Sequence, residues 1–246
     1  MECCVVNTGS SGNTYVFKST TGECLVVDAG EKLSDTLKYC NWSTSNISGL
    51  LLSHIHITDH AKYLHEFWMA GIDCYMSHGS AYGMGLLNNH RIKVVKHGQK
   101  FKVGSFDIMA LDVKHDAPEP LMYLIRHNEM GLCMFMTDSY YMPYNIPGLN
   151  NIIIEANYCE DIIQQKMTEN GFLRDRIIEN HYSLQSCKKF LHSQDLSGVN
   201  NIVLIHLSPS NSDPKRFKKE VEELTGKTVH IAYKGLIIEN FNISPF

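Results

Sequence analysis

The sequence predicts an α/β protein with two β-sheets and helices outside both, because short β-type runs alternate with helical stretches twice along the chain. Several of these β-type runs also end at a histidine or an aspartate. The chain has 246 residues, of which 43% are hydrophobic and 20% are charged, so it can bury a substantial core. We therefore expect one domain that spans residues 1–246.

The first half of the chain contains several short predicted elements. Apolar runs between turn-forming residues predict strands over 3–7, 14–18, 23–28, 49–52 and 73–76. The spacing of apolar residues predicts helices over 32–40, over 59–70 and after Ser80. In the helix over 59–70, Leu64 and Phe67 would form the buried face and Asp59 would lie in the first turn.

The second half returns to β-structure before it alternates with helices again. The predicted strands cover 92–95, 100–103, 106–113, 121–126, 132–136, 151–154, 202–205, 228–232 and 236–240. The predicted helices cover 160–167, 184–192 and 214–224.

Residues 53–60, Ser-His-Ile-His-Ile-Thr-Asp-His, place three imidazoles and a carboxylate within seven positions, directly after the apolar run 49–52. Neutral histidine nitrogen and carboxylate oxygen are ligands that zinc and similar divalent metals prefer. A histidine-rich polar loop is the alternative, but only 13 of the 246 residues are histidine. We therefore interpret this segment as a metal site.

Candidate metal ligands also follow the ends of four predicted strands. In chain order these ligands are His54, His115, Asp138 and His206. Strands that end in this way would bring the four side chains to a common edge of the sheets, where loops on a rigid scaffold usually carry the chemistry.

The bulk composition excludes some classes of protein. A net charge of −4 argues against a histone-like, strongly basic binder. We expect no membrane association, since no apolar run approaches the ~18–20 residues that cross a bilayer, and the first residues do not resemble a signal peptide. The eight cysteines show no C-x-x-C spacing, so we expect reduced thiols and a cytoplasmic protein.

Several short motifs together resemble the metallo-β-lactamase-fold hydrolases over nearly the whole chain. The motifs are Gly-Ser-Ser-Gly-Asn at 9–13, Val-Val-Asp-Ala-Gly at 26–30, the cluster at 53–60, Lys-His-Asp at 114–116, Thr-Asp at 137–138, Asn-His-Tyr-Ser at 180–183 and Ile-His-Leu-Ser at 205–208. The motif at 9–13, Ile-Glu-Ala-Asn at 154–157 and His-Tyr-Ser-Leu-Gln at 181–185 are most similar to the YycJ-type branch, which is related to the tRNase Z phosphodiesterases.

The resemblance implies an α/β (α+β) fold, a four-layer αββα sandwich, that carries two divalent metal ions. The implied metal ligands are His54, His56 and His115 at one metal and Asp59, His60 and His206 at the other, with Asp138 between the two metals. Asp28 would accept a hydrogen bond from a ligand histidine and fix its tautomer. We expect zinc as the metal, with manganese as the alternative.

The chain departs from the family pattern His-x-His-x-Asp-His, because it has one residue too many between His56 and Asp59. We expect the extra residue to loop out and leave all four ligands in place. The alternative is a shifted register that removes one first-site histidine and leaves fewer ligands or one metal.

The implied chemistry is hydrolysis of a phosphodiester by a hydroxide held by the two metals. The candidate catalytic residues are Asp59 and His181, and His181 would protonate the leaving alkoxide, unless it only caps the helix that begins at Leu184. The expected partner is a nucleic acid or nucleotide, and the expected enzyme is a DNA exonuclease-like phosphodiesterase. Lysines at 93–102, 188–189 and 215–219 are candidate backbone contacts, and tyrosines at 140–144 are either stacking surfaces or loop packing.

Three alternative functions stay open. The same site could hydrolyse cyclic nucleotides or a carboxylic ester or thioester, or the chain could bind metal without turnover. The sequence leaves the oligomeric state open, with a homodimer as one arrangement.

Overall fold

The structure, a computed structural model, describes residues 1–166 and 171–244. The described part of the chain forms two seven-stranded sheets. The strands of the first sheet are β1 (Glu2–Asn7), β2 (Thr14–Lys18), β3 (Cys24–Val27), β4 (Ile47–Leu51), β5 (Cys74–Ser77), β6 (Ile92–Val95) and β14 (Ile237–Ile238). The strands of the second are β7 (Lys100–Val103), β8 (Phe106–Asp112), β9 (Leu121–His127), β10 (Gly131–Met136), β11 (Leu149–Glu155), β12 (Asn201–Ile205) and β13 (Thr228–Ile231).

The strand orders are β14-β1-β2-β3-β4-β5-β6 and β13-β12-β11-β10-β9-β8-β7. Each sheet has an antiparallel part and a parallel part. In the first sheet, β3, β4, β5 and β6 are parallel, and in the second, β10, β11, β12 and β13 are parallel. The carboxyl ends of the parallel strands define one edge of each sheet, which is where open α/β sheets bind ligands.

Most of the helices lie outside the two sheets. The helices are α1 (Leu33–Leu37), α2 (Leu64–Met69), α3 (His78–Gly83), α4 (Glu160–Lys166), α5 (Gly171–Asn180), α6 (Leu184–Ser193) and α7 (Pro214–Thr225). Phe67 of α2 packs on the outer face of the first sheet. Phe190 of α6 and Phe217 of α7 pack on the outer face of the second.

The central core lies between the two sheets, where Tyr15 of β2 meets Phe135 of β10 with ring centroids 5.1 Å apart. Successive side chains of β1 point to opposite faces of the sheet and so belong to different cores. Cys3 belongs to this central core, whereas Cys4 belongs to the core beneath the outer helices. Because such strands are buried on both faces, they appear in the sequence as continuous apolar runs. All eight cysteines are buried and unpaired.

Most predicted elements agree with the structure to within a few residues, and the clearest errors concern helices. The helix predicted over 59–70 begins only at Leu64, because the preceding residues form turns that direct Asp59 and His60 inward. Helix α5 was not predicted, since its apolar residues do not share one face. The last residue of the helix predicted over 160–167 lies outside the described residues.

No helix among the described residues is both long enough and apolar enough to span a membrane.

Candidate metal centre and active site

Residues at the ends of parallel strands form the candidate site. Asp28 directly follows β3, Asp138 lies two residues beyond β10, and His206 directly follows β12. All three adopt left-handed backbone conformations, with φ of 61°, 45° and 55°. This conformation costs an L-residue about 1–2 kcal/mol and tends to occur where the surrounding structure imposes it, often at functional sites. The sharp turn aims each side chain into the space between the sheets' edges.

The first group of candidate ligands consists of His54, His56 and His115. Nδ1 of His56 lies 3.1 Å from Nε2 of His54 and 3.2 Å from Nε2 of His115. Burial lowers the pKa of His54 well below its usual value, and it also lowers the pKa of His115. Both imidazoles are therefore held in the neutral form that binds metals.

Hydrogen bonds on the far side of these rings fix their tautomers. Nδ1 of His115 lies 3.0 Å from the carbonyl oxygen of Asn180, which can only accept, so this nitrogen carries the proton. Nδ1 of His54 donates to Oγ of Ser53, whose hydroxyl in turn donates to Asp28. In both rings Nε2 is left with its lone pair directed into the site.

The second group consists of Asp59, His60, Asp138 and His206. Nε2 of His60 lies 2.6 Å from Oδ2 of Asp138 and 3.6 Å from Oδ2 of Asp59. Nε2 of His206 lies 3.7 Å from the same oxygen of Asp59. These atoms are close enough to one another to bind a single ion.

Asp28 accepts a hydrogen bond of 2.9 Å from Nδ1 of His60, and the other oxygen of the Asp28 carboxylate accepts one from the backbone N–H of Ser53. This hydrogen bond to a candidate ligand histidine is the one that the family resemblance implied for Asp28. Burial alone would lower the pKa of His60, but the carboxylates of Asp28 and Asp138 outweigh it and raise this pKa to about 10. A metal that binds at Nε2 would displace the proton that these carboxylates attract.

Asp138 lies between the two groups. Its Oδ2 is 2.6 Å from Nε2 of His60 in one group and 3.6 Å from Nε2 of His54 in the other. Both carboxylate oxygens are buried without a well-aligned hydrogen bond, and so is Nε2 of His206. Buried polar atoms are normally satisfied. The Asp138 oxygens lie 2.6 to 2.9 Å from nitrogens of His60, His181 and His206, and Nε2 of His206 has no hydrogen-bond partner among the described residues. Ligand-type atoms grouped in this way, beside neutral imidazoles, fit a pair of bound cations.

The extra residue in the histidine motif lies on the outside of the protein. The side chain of Ile57 is 66% exposed and Thr58 is also exposed, whereas His54 and His60 are buried. The backbone N–H groups of His60 and Ala61 both donate to the carbonyl of His56, which closes the loop. The chain therefore keeps all four ligand-type side chains of this motif directed into the site.

A third group contains Glu155, which belongs to the Ile-Glu-Ala-Asn motif and had no predicted role. The carboxylate is fully buried, and its Oε1 accepts hydrogen bonds from Nδ1 of His181 at 2.8 Å and from Nδ1 of His206 at 2.9 Å. Its Oε2 accepts from the backbone N–H of Tyr182. Glu155 thus holds a candidate ligand and the candidate proton donor together.

His181 lines the cavity over the two groups, with its side chain 23% exposed. Burial alone would lower the pKa of His181, but the nearby carboxylates of Glu155 and Asp138 outweigh it and raise this pKa to about 9. The ring is therefore held protonated at neutral pH, as a proton donor needs to be.

The cavity encloses about 230 Å³ and is open to solvent. Six wall residues were not predicted as site residues, namely Ser10, Thr58, Asp116, Arg176, Ile177 and Asn180. Arg176 belongs to α5, the helix that sequence reasoning missed, and it lies five residues before His181. A helix predicted to end just before the His-Tyr-Ser motif would have indicated that Arg176 lies near the site.

No protein-family profile matches the chain. An exodeoxyribonuclease YycJ from Bacillus anthracis is 26% identical to it over 238 residues, an alignment that covers 89% of this chain and 87% of the relative. The metallo-β-lactamase-fold protein YhfI from Bacillus subtilis superposes with a TM-score of 0.73 at 18% identity, covering 97% of this chain and 99% of that one. The short form of human tRNase Z superposes with a TM-score of 0.60 at 14% identity, covering 97% and 99%.

The predicted αββα sandwich and the resemblance to metallo-β-lactamase-fold proteins are therefore confirmed. The buried His/Asp groups fit the two-metal site that was expected from this resemblance.

Proposed function

We propose that this metallo-β-lactamase-fold chain is a metal-dependent phosphodiesterase that removes nucleotides from the ends of DNA. The observation that carries the proposal is that two groups of buried ligand-type side chains meet at the carboxylate of Asp138. The alignment with a relative named as an exodeoxyribonuclease, which extends over most of both chains, supports hydrolysis and supports DNA as the substrate.

Seven side chains would hold the proposed pair of cations. These are His54, His56 and His115 on one side, Asp59, His60 and His206 on the other, and Asp138 between them. Zinc suits a site of imidazoles and carboxylates, and manganese is the alternative. Bound there, the two cations would supply an activated water and stabilise the charge on a phosphoryl group.

The charge of the site favours an anionic substrate. Asp59 and Asp138 of the proposed ligand set would offset half of the charge of two dications, and Asp116 of the cavity wall would offset one charge more. Arg176 adds a guanidinium to the cavity wall, and this group matches the geometry of phosphate oxygens. A phosphodiester therefore fits the cavity better than a neutral ester or lactam.

His181 is the proposed proton donor to the leaving alkoxide. Its Nδ1 faces the carboxylates of Glu155 and Asp138, which leaves Nε2 available in the cavity. A general acid of this kind typically contributes 10²–10⁴-fold to the rate. Asp59 is proposed to act by holding a metal at the place where the phosphodiester is attacked.

The eight buried, unpaired cysteines favour a reducing compartment, so we place the protein in the cytoplasm.

The proposal is tested by incubating the zinc- or manganese-loaded protein with end-labelled linear DNA, closed circular DNA, RNA and cyclic mononucleotides. We expect mononucleotides from linear DNA and no cut in the closed circles. Turnover of cyclic mononucleotides alone would support the small-substrate phosphodiesterase instead. Hydrolysis of a lactam or thioester reporter without any phosphodiester hydrolysis would overturn the proposal, as would full metal loading without turnover of any of these compounds.

A further inference from the structure

We propose that a groove beside the candidate metal centre binds the single strand of nucleic acid that leads away from the bond being cut, with the ring of Tyr233 as a stacking surface and Lys218 as a phosphate contact. This inference rests on the proposed function and extends it, because it assigns a place for the part of the substrate that does not react.

The size of the metal cavity shows why a second surface is needed. The cavity encloses about 230 Å³. Pockets that bury a small ligand usually enclose about 300–1,000 Å³. The cavity can therefore admit a phosphoryl group and its immediate neighbours, whereas the following nucleotides of a strand must lie on an adjoining surface.

The groove adjoins the metal cavity at two segments of the chain. It encloses about 760 Å³, and its lining includes Thr8, Leu207 and Ser208. Leu207 directly follows the candidate ligand His206, whose backbone N–H donates to Oγ1 of Thr8 at 3.0 Å. Ser10, two residues beyond Thr8, lines the metal cavity. The cavity and the groove are therefore neighbours, and we infer that a strand whose end lies at the metals reaches the groove.

The charges of the groove suit a polyanion. The described residues that line it include Lys218 and Lys234 and no aspartate or glutamate. This is a local exception in a chain with a net charge of −4. Lys234 lies 3.4 Å from the carboxylate of Glu31, outside the lining, and its side chain is 65% exposed. Lys218 forms an ion pair of 3.7 Å with Glu222 one turn away on α7, and its side chain is 49% exposed. Exposed pairs of this kind contribute little to stability, so the ammonium can turn to a phosphate at small cost.

Tyr233 supplies the stacking surface. It follows β13, lines the groove, and is 61% exposed. Single-stranded nucleic acid binders use exposed aromatic rings of this kind to stack bases. Stacking needs an unpaired base, which favours a single strand over a duplex in this groove.

The test compares two substrates of different reach. One is methyl nitrophenyl phosphate, a phosphodiester that has no sugar or base to reach the groove. The other is a single-stranded DNA of about 20 nucleotides, longer than the ~4–16 nucleotides that one single-strand-binding fold covers. The variants are Tyr233→Ala and Lys218→Ala.

The chain offers matched controls for both variants. Lys219 is the neighbour of Lys218 on α7 and makes the same kind of ion pair, with Glu223, but it does not line the groove. Tyr82 is an exposed tyrosine, 71% accessible, on α3. Lys219→Ala and Tyr82→Ala should therefore leave both substrates unaffected, and Tyr233→Phe should restore the behaviour of the unaltered protein because it keeps the ring.

We expect Tyr233→Ala to raise KM for the long DNA by about 5-fold or more, the lower end of what one lost stacking contact costs. Lys218→Ala should raise it less and should reduce the slope of log KM against log salt by about 0.7, the value for one phosphate contact on a single strand. Neither variant should change kcat/KM for the small ester.

If the unaltered protein hydrolyses both substrates and both variants keep its KM for the long DNA, the groove does not bind the strand. The proposed function would then still stand. An equal loss on both substrates would also overturn the groove, because it would indicate damage to the fold or the metal site. If the unaltered protein hydrolyses neither substrate with its metals bound, the proposed function fails and the groove fails with it.

Discussion

Glu155 accepts a hydrogen bond of 2.8 Å from Nδ1 of His181, and the carboxylate that does so is fully buried at the end of β11. The same oxygen holds His206. A buried carboxylate that orients both a candidate ligand and a candidate proton donor couples metal binding to proton transfer in this site.

Replacement of Glu155 by glutamine tests this coupling. The amide keeps the shape of the side chain but loses the negative charge that both imidazoles face, so we expect activity on linear DNA to fall by about 10–100-fold, as is usual for the partners of ligand histidines. Kinetics at saturating metal and metal content by mass spectrometry provide the measurements. Glu223→Gln, on the exposed side of α7, is the control and should behave as the unaltered protein.

Replacement of His181 by alanine tests the proton donor. We expect a loss of about 10²–10⁴-fold in kcat on DNA, whose leaving alkoxide needs a proton. The loss on a nitrophenyl phosphodiester should be much smaller, because nitrophenolate leaves without help. Metal content should stay the same. If His181→Ala hydrolyses DNA as fast as the unaltered protein, His181 is not the proton donor.

Replacement of Gly30 by alanine tests how the loops of the site fit together. A Cβ at this position would lie 2.0 Å from the carbonyl oxygen of Asp59 and 2.3 Å from the backbone nitrogen of Asn13. Both are backbone atoms, so the segment that carries Asp59 would have to move. We expect a lower melting temperature and weaker metal binding. A variant that melts and binds zinc like the unaltered protein would contradict the close approach of these segments.

Replacement of Ile57 by serine tests whether the extra residue of the histidine motif lies outside the site. Because the side chain is 66% exposed, we expect a change of less than about 0.5 kcal/mol in the free energy of unfolding and no loss of metal. Leu52→Ser, at a fully buried position of the same segment, should destabilise the protein strongly. Loss of metal in Ile57→Ser would favour the shifted register.

The strands and the ligand candidates at strand ends could be predicted from the sequence, because both signals are local. Apolar runs identify the strands, and His54, Asp138 and His206 each stand within three residues of a strand end. Parallel pairing of β10, β11 and β12 brings Asp138 and His206 to one edge of the second sheet, and the packing of the two sheets brings His54 beside them.

The role of Glu155 could not be read in the same way, because it depends on register between distant strands. In the parallel ladder Glu155 pairs with Ile205, the residue before His206, and Ile154 pairs with Met136, two residues before Asp138. The carboxylate therefore reaches both side chains only once β11 has inserted between β10 and β12. The helix predicted over 59–70 begins later than expected for a related reason. The preceding residues form turns that direct Asp59 and His60 into the site, and these contacts are not visible in the local sequence pattern.

Metal content tests the central claim most directly. The purified protein, loaded with zinc and freed of excess metal, should hold about two ions per chain, as a two-metal site requires, and His56→Ala should lose about one of them with its fold intact. A protein that binds no zinc, or a His56→Ala variant that binds as much as the unaltered chain, would contradict the account.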